Sequence, residues 1–164
     1  MIHDMKYDTS VLRRQDRALP REEACELLQN SEYGILCMQE IGGGGYGIPL
    51  NYVWDGGECL YMHCAPLGHK LDCLAHSSRV TFVITGANCI LPEKFSTAYA
   101  SVLVHGEAQV VTDEEEKIHA LRLLIQKLTP QEAHRGEQYI ARAVQATGVI
   151  RLRITGSCGK AHRA

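Results

Sequence analysis

The sequence predicts a mainly β protein, with six antiparallel strands curled into a small barrel and helices packed outside it. Three observations lead there. Apolar residues alternate with period two in six separate runs. Glycine-rich turns join the first three runs at hairpin distances. Helical periodicity is confined to a few segments between runs. No repeat or linker divides the 164 residues, so a single domain over 1–164 is expected.

The elements follow in order. Residues 1–18 are charged, show little periodicity and read as an N-terminal arm. A helix begins at Leu19-Pro20-Arg21-Glu22-Glu23, with Pro20 at its first position. Its apolar edge is Ala24, Leu27 and Leu28, and it stops near Asn30. Tyr33 to Met38 is the first strand. Gly42 to Gly45 turn the chain into the second, Tyr46 to Trp54, with Ile48, Leu50, Tyr52 and Trp54 on one face. Asp55-Gly56-Gly57 turns it again into Cys59 to Cys64, so these three strands form an antiparallel meander. A short helix is expected over about His69 to His76, with Leu71 and Leu74 inward. Val80, Phe82 and Ile84 mark the fourth strand. Residues 86–98 read as a long connection, of the kind more often functional than incidental.

Tyr99 to Val111 is the fifth strand. Thr112-Asp113-Glu114-Glu115 reads as a capping box. The helix behind it carries Ile118, Leu121, Leu124, Ile125 and Leu128, and Thr129-Pro130 ends it. Residues 131–145 are weakly helical. Val149 to Ile154 is the sixth strand, and residues 156–164 read as a loose tail.

Composition excludes several functions. Seventeen Lys and Arg against nineteen Asp and Glu leave a net charge of −2, with no basic excess for a general polyanion or membrane-surface binder. No stretch of about 18 apolar residues is present to span a bilayer. Met1 to Arg17 has no apolar stretch resembling a secretory signal. Seven cysteines without such a signal point to free thiols in a reducing, cytoplasmic setting. No Cys-x-x-Cys pair or zinc spacing occurs, so no metal is expected. Cys158 and His162 read as solvated tail residues. The four glycines lack the Gly-Lys-Ser/Thr and following helix of a phosphate loop, and a hairpin explains them.

The segment His63-Cys64-Ala65-Pro66-Leu67-Gly68-His69-Lys70 carries more chemistry. A strand ends at His63 and a helix opens at His69 and Lys70. The free N–H groups of a helix start attract anions, and His63 and Lys70 can converge on one. Surface charge and a satisfied histidine remain the plain alternative. His105 points away from Val102 and Val104, towards solvent or an interface. Arg13, Arg14 and Arg17 are either a solvated arm or a reach towards a neighbouring cleft.

The chain resembles the pyridoxamine 5'-phosphate oxidase-like FMN-binding split barrels, in the branch with nitroimidazole resistance proteins. The resemblance runs from about Arg13 to Lys160. It is carried by Arg13-Arg14-Gln15-Asp16-Arg17, Gly47-Ile48-Pro49-Leu50-Asn51-Tyr52, Leu60 to Ala65 with Gly68 to Asp72, Tyr99-Ala100-Ser101-Val102, Gly106-Glu107-Ala108 and Ile154-Thr155-Gly156. It implies a homodimer of six-stranded split barrels with FMN at the subunit interface. Pro49, Leu50, Asn51 and Tyr52 would line the flavin ring. His63, Ala65, Lys70 and Leu71 would follow the ribityl phosphate, and Tyr99 and Ser101 would complete the pocket, from the same or the other subunit. His69 would match the histidine near the flavin, a candidate catalytic residue. Relatives often carry arginine where this chain has Ala100.

The resemblance also implies an oxidoreductase passing electrons from a reduced nicotinamide to a small acceptor such as a nitroaromatic. A non-catalytic flavin, deazaflavin or haem binding module is the alternative. Oxidation of pyridoxamine 5'-phosphate itself ranks lower, because Lys160-Ala161-His162-Arg163 is a poor match to the basic C-terminal motif it calls for.

Overall fold

The computed structural model describes residues 5–163. In chain order the elements are α1 Arg21–Asn30, β1 Tyr33–Gln39, β2 Gly45–Asn51, β3 Val53–Trp54, β4 Cys59–Cys64, α2 His69–His76, β5 Arg79–Thr85, β6 Cys89–Leu91, β7 Ser96–Val110, α3 Glu114–Leu128, α4 Ala133–Ala143 and β8 Gly148–His162. Strands β2, β1, β5, β7, β8, β4 and β3 neighbour one another in that order, all antiparallel. The two outer strands, β2 and β3, are consecutive in the chain with only Tyr52 between them. The sheet thus curls until both edges come from one kinked segment, giving an open, split barrel.

Six expected strands become eight for two physical reasons. The run Tyr46 to Trp54 is kinked at Tyr52, so β2 pairs with β1 while β3 pairs with β4. The expected meander is therefore two hairpins hinged at one residue. Residues 86–98 are not an irregular loop. They hold β6, which pairs back onto the start of β7 through a 3-10 turn at Pro92–Lys94. Phe95 closes that turn at φ 47.

The expected loose tail is also corrected. Residues 156–162 extend β8 along β7, from His105↔Gly156 to Tyr99↔His162. Cys158, expected in solvent, is buried, and His162 is half-buried. The N-terminal arm holds this strand down, with the Ser157 and Asp8 N–H groups donating to Lys6 O and Ser157 O. The Tyr7 hydroxyl donates to Leu19 O at 2.6 Å. Residues 1–4 of the arm and Ala164 of the tail lie outside the described residues.

Two cores share the sheet. Inside the barrel, Leu36, Phe82, Val104, Leu60 and Leu152 are fully buried and meet Ala24 and Leu28 of α1 and Cys73 and Leu74 of α2. On the outer face, Leu121 and Leu124 of α3 and Ile140 of α4 cover Val53, Tyr61 and Val149. Asp113, not Thr112, caps α3, its carboxylate accepting from Glu116 N–H at 2.8 Å. Pro20 likewise stands one position before α1. Among the described residues, no helix of the second core reaches the outer face of β2, β1 and β5. There Pro49, Ile35, Val83 and Leu103 line up across four strands.

Candidate functional site

The β4–α2 connection builds the most distinctive constellation. Gly68 precedes α2 at φ 134, a backbone angle that favours glycine. Its carbonyl accepts the N–H groups of Leu71 and Asp72, so the N–H groups of His69 and Lys70 start the helix without an intrahelical partner. Lys70 is half-buried, close enough to Cys64 to act on its thiol. Ala65 is exposed, while Leu71 packs against the barrel core.

His69 is held on three sides. Its Nε2 lies 2.8 Å from Glu40 Oε1 and 3.6 Å from Cys73 Sγ. Tyr46 meets its ring edge-on at 4.8 Å. The hydrogen bond from His69 holds the Glu40 carboxyl below the usual carboxylate range. Sequence reasoning missed Glu40 because it lies in the turn after a different element, β1. Only the β1–β2 hairpin brings it to α2, although Cys73 at one helical turn from His69 was a visible signal.

The other expected residues lie in different places. Pro49 and Asn51 face outward on β2 and are exposed. Asn51 Nδ2 donates to Glu32 O at 3.1 Å. Leu50 points inward and packs on the barrel core. Tyr52 corrects its assignment: its side chain is fully buried and its hydroxyl donates to Leu28 O. It anchors the kink rather than offering a ring to a ligand. Over it, at 3.9 Å, sits the amine of Lys127, which is buried without a hydrogen-bond partner. His63 is exposed at the mouth of an apolar cavity of ≈200 Å³ between α3 and α4, lined with Leu124, Ile125, Leu128 and Tyr139. Tyr99 and Ser101 are half-buried on the outer side of β7, opposite the inward Val102 and Val104. His105 is exposed on that side too, 3.0 Å from Thr81 Oγ1. Ala100 faces Ala161 and offers no charge.

Strand β8 measures how far apart these groups lie. His63 pairs with Val149 at one end of it and Ser101 with Lys160 near the other. At about 3.3 Å per residue the two ends are at most roughly 35 Å apart along this curled strand. Lys70 and His69 thus lie towards one end of the strand and Tyr99 and Ser101 towards the other, while His63 faces α3 and α4, and among the described residues no contact joins it to Lys70 or His69.

A family model described as pyridoxamine 5'-phosphate oxidase matches residues 20–161. The chain belongs to that family. Solved structures agree on the fold. The flavocytochrome Anf3 of Azotobacter vinelandii matches with a TM-score of 0.79 and 21% identity, over 94% of this chain and 73% of that one. The FAD and heme binding protein of Mycobacterium smegmatis matches at 0.77 and 17%, over 92% and 75%. A candidate 5-nitroimidazole antibiotic resistance protein from Bacteroides thetaiotaomicron matches at 0.75 and 20%, over 87% and 84%. No curated relative matches the sequence. No helix among the described residues is long and apolar enough to cross a membrane.

Proposed function

We propose that this protein is an FMN-binding oxidoreductase of the cytoplasm, working as a homodimer, that passes electrons from a reduced nicotinamide to a small acceptor such as a nitroaromatic. The observation that carries the reading is that the expected site residues fall towards opposite ends of one strand, at most roughly 35 Å apart along it, in a chain of this family. Two copies joined through the uncovered face of β2, β1, β5 and β7 could bring unlike halves together.

The residues present suit a flavin. Lys70 and the first N–H groups of α2 offer charge-assisted hydrogen bonds to a phosphate. Pro49 and Asn51 offer one apolar and one polar contact on the open sheet face. When bound, FMN supplies the hydride and electron chemistry. His69, tied to Glu40, is the side chain placed to hold or give a proton at Nε2. The seven cysteines are free, as a reducing compartment allows.

A visible spectrum of the purified protein, with mass spectrometry of any released ligand, tests the reading. Bands of bound FMN are expected, and steady turnover of a reduced nicotinamide with a nitroaromatic. Colourless protein that stays colourless with added FMN would end the proposal. Lys70→Ala is expected to weaken FMN binding about 10- to 100-fold, as for loss of a charged hydrogen bond, while Lys117→Ala leaves it unchanged. The second reading, a non-catalytic flavin, deazaflavin or haem module, draws on the two structural neighbours whose names include haem or cytochrome. A Soret band lost in His69→Ala would favour it.

A further inference from the structure

We propose that Arg17, Tyr99 and Lys160 form an anion site that holds a phosphate of a flavin nucleotide, an inference that rests on the flavin reading above. Arg17 lies in the 3-10 turn before α1. Tyr99 stands near the start of β7, and Lys160 pairs with its neighbour Ser101 from the far end of β8. Three parts of the chain that are distant in sequence thus place two cations and a phenol together.

Among the described residues, neither cation is engaged in an ion pair, although the Asp16 carboxylate lies near enough to Arg17 to feel its charge. Nearby, Arg14 is taken by Asp16 and Arg163 by Glu23. The Nε of Arg17 is buried with no hydrogen-bond partner, and buried donors without acceptors are rare in native proteins. Lys160 Nζ lies 5.8 Å from the centre of the Tyr99 ring. Desolvation pushes the Tyr99 phenol up, but Lys160 and Arg17 beside it pull harder, and the net direction is down. That is the sign of a local positive field.

An acceptor with more than one negative charge suits this pair of cations. A carboxylate would balance one of the two cations. A phosphate monoester carries about −1.5 to −2 at neutral pH and matches both, with oxygens enough for a guanidinium and an ammonium at once. Beside the cluster, Arg14, Asp16, Arg17, His162 and Arg163 line a cleft of ≈460 Å³, which Arg17 shares with the proposed site. That leaves room beside Arg17 for the rest of a molecule whose phosphate the cluster holds.

The test is titration of flavins into wild-type protein and into Lys160→Ala, Lys160→Arg and Arg17→Gln, followed by flavin fluorescence. Lys160→Ala and Arg17→Gln are expected to weaken FMN and FAD at least tenfold and leave riboflavin within twofold, with Lys160→Arg restoring most of the loss. A loss confined to FAD also supports the site and places it at the phosphate next to adenosine. Unchanged affinity for both nucleotides, or an equal loss for riboflavin, overturns the proposal. Should wild-type protein bind none of the three flavins, the flavin reading fails, and inorganic pyrophosphate followed by calorimetry decides what is left. Binding that Lys160→Ala abolishes keeps an anion site without a flavin, and no binding removes the site altogether.

Discussion

Lys127 shows how one residue can be read in pattern and missed in consequence. Its place on α3 marks it as a solvated lysine, yet its amine is buried over Tyr52. Burial pulls it down to about 8 from the ordinary 10.5. Between those values the unfolded chain binds more protons than the folded one, so this group's contribution to stability rises with pH from about 8 to 10.5. Below pH 8 the full cost of the buried charge is present. Lys127→Met is therefore expected to stabilise the protein at pH 7 by about 1 kcal/mol, the uncompensated donor outweighing the lost ring contact, or a rise of about 2–4 °C in melting temperature. The gain should shrink as the melts are repeated from pH 8 towards 10.5. Tyr52 was legible as apolar and correctly assigned to the face of Ile48 and Leu50. That its ring would be enclosed by α1 and α3 depends on contacts far away in the sequence, which alternation alone does not encode. The same holds for Glu40 beside His69, and for Arg17 and Lys160 beside Tyr99.

Elements were legible where their periodicity ran long. The helix of Glu114–Leu128 and strands β1, β4 and β5 fall within a residue or two of expectation, and β7 begins three residues earlier than expected, because each carries a run of buried apolar residues. Strand β6 was not legible. Its three residues leave Ile90 in solvent and carry no alternation. The far half of β8 was hidden by Gly156, Ser157 and Gly159, which resemble a loop. Gly159 is tightly placed there, since a Cβ would lie 2.5 Å from the Tyr7 hydroxyl and 3.1 Å from Leu19 Cβ. Gly106 has the same kind of cause. It sits at the irregularity where β7 and β8 lose register, and a Cβ would come within 2.4 Å of Arg153 O. Gly106→Ala is expected to cost about 2–4 kcal/mol, since backbone must move to admit the methyl group. A fall of roughly 5–15 °C in melting temperature would register it, and an unchanged melt would show that the strand pair yields freely.

At the scale of the whole molecule, a net charge near zero conceals two separate cationic spots, one at Lys70 and one at Arg17 and Lys160. Composition could exclude a general polyanion binder but could not show where charge is left unbalanced. Strand β8 keeps those spots at opposite ends of one rigid element, and this has a genetic consequence. In the homodimer proposed above, each site would take Lys70 from one chain and Lys160 from the other. Chains carrying Lys70→Ala and chains carrying Lys160→Ala each form only damaged sites. Mixed dimers of the two would concentrate both defects in one site and leave the second whole, so co-expression should restore about one tight-binding site in four. Two defective alleles would thus complement each other, and no mixture of Lys70→Ala with Arg122→Ala chains would show the same recovery pattern, because among the described residues Arg122 pairs with Glu137 between the two outer helices.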